Sequence, residues 1–298
     1  MFGFRPDGKR VKDLDPIQLI VPHIMPSRHD SQLHIRYECP CEPFDNFIRD
    51  QHEKGEQYDY MHIVIASMVR MFAKFPRTNR FVMNGRIYKR NRIQVSIIVK
   101  KDLQTEAADS SIKMTFTGLE SIKELRDKVD ATIAANTGID EVNGTDKIAR
   151  LLTYTPNAVL KFLMWTIKFL DKHGLLPQAI IDLSPFHTSG FITNLKSIKG
   201  PSLYHHLYDF GNVGFFVSMG KESIVPVYEK GEIKPGKRIP LLFVIDERYC
   251  DGFYYVKATN YMRLLLKHPE HLLEPLDALT EDTKVLYGKK AAQQAREK

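Results

Sequence analysis

The stretch VIDERYCDGF, residues 244–253, concentrates the side chains most able to do chemistry. An apolar pair, Val244-Ile245, leads into Asp246, Glu247 and Arg248, and the chain then turns at Asp251-Gly252. Glu247 and Asp251 stand four residues apart around that corner. Two carboxylates can share acid and base work when their surroundings push their pKa values apart. An Asp-Gly pair also marks a plain turn. Histidines are the other proton carriers near neutrality, and His187 and the tandem His205-His206 lie upstream. Cys39-Pro40-Cys41 is too tight for the usual two-residue zinc spacing, so two ordinary thiols near a strand end, and no metal, are expected. Lys89-Arg90-Asn91-Arg92 falls where a hairpin turn would lie and reads as a solvated loop.

Composition narrows the partners. Hydrophobic residues make up 43% of the 298 and charged residues 27%, as in an ordinary globular protein. No apolar run reaches the roughly 18 residues of a membrane span, so no membrane partner is expected. The opening MFGFRPDGKRVKDLDP lacks the apolar core of a secretory signal, which makes a cytoplasmic location the expectation. Three cysteines argue against a disulfide framework. The net charge of +7 suits nucleic acid, an anionic membrane face or a phosphorylated small ligand. There is no helix-turn-helix, zinc finger or aromatic RNA-binding signature, so nucleic acid is not an expected partner.

The elements that would position these residues can be read from periodicity. Residues 1–25 form a basic, proline-bearing arm, 26–275 one domain, and 276–298 a polar tail. Ser31–Tyr37 alternates as a strand, and Phe44–His52 suits a short helix. Tyr60–Phe75 is densely apolar, too long for a strand, and stops at Pro76, which predicts a buried helix. Arg80–Tyr88 and Ile93–Lys100 read as two strands, with a hairpin-type Asn84-Gly85 inside the first. A strand over Ile112–Phe116 is followed by a Thr117/Glu120 capping box opening a helix to about Ala135. Asn136–Asp146 reads as a loop, Asn157–His173 as a helix stopped by Gly174. From Ala179 onward strand and loop are expected: strands over Gly190–Leu195, Val213–Met219, Ile224–Tyr228 and Arg238–Asp246, then a helix over Phe253–Lys267. Helices and strands without strict βαβ alternation point to one α/β domain with a mixed sheet.

With those elements placed, VIDERYCDGF resembles the active-site corner of the chloramphenicol acetyltransferase-like superfamily. It is most similar to the catalytic core of the dihydrolipoyl acyltransferases of 2-oxo acid dehydrogenase complexes. That family carries His-x-x-x-Asp-Gly at the end of a strand. Asp251-Gly252 matches its last two positions, Asp246 and Arg248 match residues that flank the histidine, and Glu247 occupies the histidine position. Tyr60–Phe75 with Pro76 and Asn79, the strands around Gly85–Tyr88 and Ile93–Val99, Phe191-Ile192-Thr193-Asn194-Leu195, and NVGFFVSMGK at 212–221 resemble further family segments in the same order. The resemblance spans roughly residues 30–270 and implies a two-layer α/β sandwich with a mixed sheet. It also implies a homotrimer with its site between neighbouring subunits, and coenzyme A or its acyl thioester as substrate.

The implied reaction is acyl transfer from a thiol to a thiol or hydroxyl. Thr193 matches the family's oxyanion donor, Asn194 and Gly252 support the site, and Asp251 corresponds to a residue that pairs with an arginine and holds the corner. Gly252 is expected where a side chain would crowd a sharp turn. Glu247 would have to act as the base. A glutamate near pKa 4.3 and a thiol near 8.5 differ by about four units, roughly 5–6 kcal/mol uphill. Burial would raise the carboxyl and close part of that gap, whereas an ion pair would hold it weakly basic. A shifted base from His187 or from His205-His206 is the other route. The segment before residue 30 is too short for a lipoyl domain, so the acyl group would come from free coenzyme A thioesters or a carrier on another chain. The alternative is a non-catalytic trimeric binding or scaffold relative, favoured by Glu247 itself.

Overall fold

A computed structural model of the chain describes residues 5–100, 109–137 and 154–282. The loop expected at 136–146 and the polar C-terminal end fall largely outside the described residues.

Residues 8–24 supply a short strand, β1 (Gly8–Arg10), and a helix, α1 (Pro16–Ile24), whose Asp15 side chain caps the amide of Ile17. Then come β2 (Gln32–Pro40), α2 (Glu42–His52) and α3 (Tyr60–Lys74). Every residue of α3 except Met61 and Lys74 is buried, so its apolar run wraps the whole helix. The expected strand over 80–88 is instead a hairpin, β3 (Arg80–Met83) and β4 (Arg86–Arg90). Asn84 and Gly85 take φ of 52° and 66°, the left-handed pair that a tight hairpin turn requires. β4 also pairs with β1, which makes a separate three-stranded sheet, β1-β4-β3.

β5 (Ile93–Lys100) and β6 (Asp109–Phe116) precede α4 (Ile122–Thr137). The capping pair of α4 is Ser121 and Glu124 rather than Thr117 and Glu120. The Ser121 amide donates to Glu124 Oε2 at 2.8 Å, and the Glu124 amide donates to Ser121 Oγ at 3.3 Å. Glu120 instead folds back on the amides of Thr117 and Gly118, closing the turn before the helix. α5 (Asn157–His173) ends at Gly174, whose φ of 72° is left-handed as a C-terminal stop demands. A helix unforeseen in the sequence, α6 (Gln178–Leu183), follows Pro177. Its six residues are too few to show a period. β7 (Gly190–Asn194), β8 (Phe215–Met219), β9 (Ser223–Glu229), β10 (Glu232–Asp246) and α7 (Gly252–Lys267) complete the described elements.

The main sheet runs β2-β10-β8-β7-β5-β6, with β9 hairpinned onto β10. β7 is parallel to both neighbours and the other pairings are antiparallel, so the sheet is mixed. Strand alternation gives it two unlike faces. Ile192, Val217, Phe243 and Ile245 point into the large core shared with α3, α4 and α7. Phe191, Phe216 and Val244 point the other way, into a small cluster covered by Leu207, Tyr208 and Val213. α2, α3, α4 and α7 thus form one layer and the sheet the second, the sandwich the resemblance implied.

Candidate functional site

β10 is buried from Ile239 to Asp246, and the chain leaves it through a single helical turn, Glu247–Tyr249. That turn is fixed by charge. Arg248 Nε and Nη2 donate to the two carboxylate oxygens of Asp246 at 2.9 and 2.7 Å, both side chains almost fully buried. A bidentate pair of this kind sets geometry as well as charge. Ser31 Oγ adds a bond to Asp246 Oδ1 at 3.1 Å, and Arg248 Nη1 reaches the carbonyls of Met25 and Pro26 at 3.2 Å. Tyr255 donates to the Asp246 carbonyl at 2.6 Å, and Tyr249 to the Gly214 carbonyl at 3.0 Å. Tyr249 lies so close that a Cβ on Gly214 would stand 2.2 Å from its hydroxyl, which explains a glycine there.

Within this corner the predicted residues behave differently from one another. Glu247 is partly exposed, and among the described residues its carboxylate has neither hydrogen-bond nor ion-pair partner. Neither the deep burial nor the ion pair considered above is present. Among the described residues Asp251 pairs with no arginine: it is exposed and accepts the Tyr254 amide at 2.9 Å, as the N-cap of α7. The carboxylate that holds an arginine here is Asp246. Gly252 is not crowded either, since an added Cβ would meet nothing within 4 Å of the chain. It is simply the first residue of α7.

Thr193 sits near the end of β7, partly exposed, on the Phe191 face of the sheet. Asn194 turns to the helical face, where its Nδ2 lies 3.9 Å from Met61 Sδ, and its Oδ1 caps the amide of Ser197 at 3.3 Å. In register, Thr193 stands beside Ser218 of β8, and Ser218 beside Leu242 of β10. Glu247 lies five residues beyond Leu242, just past the end of β10, and two strands across from Thr193. At about 3.3 Å per residue and 4.8 Å per strand, the two side chains are roughly 20 Å apart within one chain. One copy of the chain therefore does not bring Thr193 and Glu247 together.

The histidines sort clearly. His187 is buried, with Nε2 3.1 Å from Asp171 Oδ2 and Nδ1 2.8 Å from Ser184 Oγ, so both nitrogens are engaged. His206 is exposed and stacks with His29. His205 lies on the Thr193 face, its ring stacked on Phe216 with centroids 4.1 Å apart and planes at 5°. Phe216 is two residues from Ser218, which places His205 roughly 8–10 Å from Thr193. The His205 Nδ1 lies 3.0 Å from the His206 carbonyl. A carbonyl only accepts, so Nδ1 carries the hydrogen and Nε2 keeps its lone pair. Burial lowers the pKa of His205 below the usual 6.5, with His206 adding to the effect and the carbonyl bond opposing it. The ring is therefore neutral at pH 7. Beside Thr193, the buried Ser218 hydroxyl has no partner among the described residues.

The remaining candidates are structural. Cys39 and Cys41 are fully buried in the core, and burial raises the Cys39 thiol to about 12, too high for a nucleophile. No group of three metal-capable side chains exists among the described residues. Arg90 is not part of a solvated loop: its guanidinium turns inward over Phe81, 4.6 Å from the ring centre, and bonds Asn212 Oδ1 at 2.8 Å. The hairpin turn lies earlier, at Asn84-Gly85, which frees β4 to carry Arg90 inside.

No family model matches the chain, and no curated protein matches it by sequence. Solved structures do match. A probable dihydrolipoamide acetyltransferase from Listeria monocytogenes aligns with a TM-score of 0.53 at 14% identity, over 93% of this chain and 99% of that one. The dihydrolipoamide acetyltransferase of Azotobacter vinelandii gives 0.53 at 12% identity, over 88% and 94%. A chloramphenicol acetyltransferase gives 0.51 at 12%, over 90% and 100%. The chain has the chloramphenicol acetyltransferase-like fold, as the corner motif implied.

Proposed function

We propose that this chain is an acyltransferase that moves an acyl group between coenzyme A and a thiol or hydroxyl acceptor. The observation that supports it best is the shared face of Thr193 and His205. A neutral imidazole with a free Nε2 can take the proton of the attacking group. A hydroxyl roughly 8–10 Å away leaves room for a thioester between them and can donate to the oxyanion of the tetrahedral intermediate. Coenzyme A is a substrate here, delivered as a free thioester or accepted from a carrier on another chain. The fold shared with acetyltransferases favours this chemistry over others on the same residues.

Glu247 belongs to the proposal only across a contact between copies. At roughly 20 Å from Thr193 in its own chain, its carboxylate reaches that hydroxyl if a neighbouring copy brings it there. A homotrimer with a shared site provides such a contact. The β9–β10 hairpin favours assembly: Ile224, Tyr228 and Ile233 project from it, each more than 70% exposed. Between the two bases, His205 suits a thiol better, because an imidazole takes up and returns protons near neutrality.

A second reading rests on Glu247 itself. With a carboxylate at the position that resembles the family histidine, the chain would keep the fold as a non-catalytic trimeric scaffold. One assay separates the two: coenzyme A release from a panel of acyl thioesters. We expect turnover by the natural chain, a loss of about 10²–10⁴-fold in His205→Gln and of about 10²–10³-fold in Thr193→Ala. An inert natural chain that gains activity in Glu247→His supports the scaffold reading and sinks the enzyme one. Light scattering near roughly 100 kDa, three times the 34.4 kDa chain, tests the trimer.

A further inference from the structure

A cleft of about 520 Å³ opens between α1, the β3–β4 turn and α5, and neither Thr193 nor His205 lines it. That volume lies within the roughly 300–1,000 Å³ of small-molecule sites. Its charged lining is Arg28, Lys168, Lys172 and Arg248 against Asp171 and Asp209. The acids are already engaged. Asp171 is buried between Arg5, at 2.8 Å, and His187, at 3.1 Å. Asp209 accepts the Arg28 backbone amide at 3.1 Å and lies 3.0 Å from His29.

The cations are less well matched. Arg248 has its carboxylate, Asp246, but among the described residues no carboxylate forms an ion pair with Arg28. Its guanidinium meets only the carbonyls of Tyr208, Asp209 and Gly211, at 2.7–3.1 Å, and its buried Nε has no acceptor. Burial lowers the pKa of Arg28 and the nearby Arg248 adds to it, while Asp246, Asp209 and Asp171, none of them in an ion pair with it, oppose the shift without cancelling it. A buried guanidinium with no carboxylate in direct contact is only partly compensated, and an anion in the cleft would offset the rest of that cost. At the mouth, Lys168 and Lys172 stand one helical turn apart on α5, both exposed and, among the described residues, without an ion-pair partner. Two ammonium groups at that spacing suit a multiply charged anion better than a single carboxylate.

We propose that this cleft binds a small phosphate-bearing molecule, gripped by Lys168 and Lys172 and held in the field of Arg28 and Arg248. The site is separate from Thr193 and His205 and does not depend on acyl transfer. Inorganic pyrophosphate is the probe, titrated calorimetrically into the full chain at constant ionic strength, with sodium chloride as control. We expect saturable binding at one site per chain, with a rise in Tm that chloride does not reproduce. Lys168→Ala/Lys172→Ala should weaken binding at least tenfold with an unchanged Tm in the absence of the anion. Thr193→Ala and His205→Gln should bind as the natural chain does, so a failure of the acyl-transfer reading leaves this result intact. A Tm rise matched by chloride, or equal binding by the double lysine variant, overturns the proposal.

Discussion

At the end of β10, Asp246 and Arg248 answer each other's charges almost completely, with Ser31, Tyr255 and two carbonyls filling the remaining bonds. On β7 and β8, two strands and one strand away, Thr193 and Ser218 hold hydroxyls with no partner among the described residues. The corner carries the recognisable motif, yet its polar groups are used up in holding shape. The quieter face carries groups still free to act. A saturated buried network rigidifies, whereas an unsatisfied polar group on a rigid strand is poised for something from outside. Only Glu247 breaks the pattern at the corner, and it stands outside the Asp246–Arg248 bonds.

The largest effect expected from this contrast is in stability. Arg248→Ala would leave Asp246 buried without its cation, so unfolding in urea should show a loss of about 3–5 kcal/mol. Thr193→Ala removes a partly exposed hydroxyl with no partner and should change stability by no more than about 0.5 kcal/mol. If the two variants unfold at the same urea concentration, the corner is not the rigid support described above.

Much of this contrast was legible in the sequence, but unevenly. VIDERYCDGF identified the fold because β10, the turn and α7 are local, and their order survives in the linear chain. The Asp246–Arg248 pair is two residues long and could be suspected from spacing alone. The roles of Asp251 and Gly252 could not, since a cap and an arginine partner look alike in sequence. His205 was one of three histidines with nothing to rank them. Its stacking on Phe216 and its bond to the His206 carbonyl depend on a chain path without regular structure. The buried network of Arg5, Asp171 and His187 joins residues more than 160 positions apart, which no local pattern encodes. Arg28 belongs to the same class.

A pH profile of kcat/KM sharpens the comparison next. Burial lowers the folded pKa of His205, so its protonated, inactive form accumulates only below the ordinary 6.5. Activity should hold at pH 7 and fall on acidification through a value under 6.5, and His205→Gln should remove that limb. The same sign governs stability: the group's contribution is complete above the unfolded pKa and is lost as pH falls through the folded one. Asp171 acts lower on the scale. Burial would raise its pKa, but the bonds from His187 and Arg5 outweigh burial and hold it below the ordinary 3.8. Stability from that network should therefore persist near pH 5 and fail below about 3.8, read by urea midpoints across the range. An acid limb unchanged by His205→Gln assigns the base elsewhere.

The smallest effect concerns Gly252, and it tests what surrounds the corner. Its φ is not left-handed, and an added Cβ meets nothing within 4 Å of its own chain. Glycine at the first residue of a helix only adds freedom to the unfolded state. Gly252→Ala should therefore stabilise an isolated copy by about 0.4–1 kcal/mol in urea. A trimer adds a neighbour that one chain does not show. If Gly252→Ala stabilises the dilute monomer but lowers the trimer fraction in light scattering, another copy presses on this position. The glycine would then serve the assembly rather than the turn, and Glu247, five residues earlier, would lie at the same contact. If assembly is untouched, the corner faces solvent, and Glu247 has no route to Thr193.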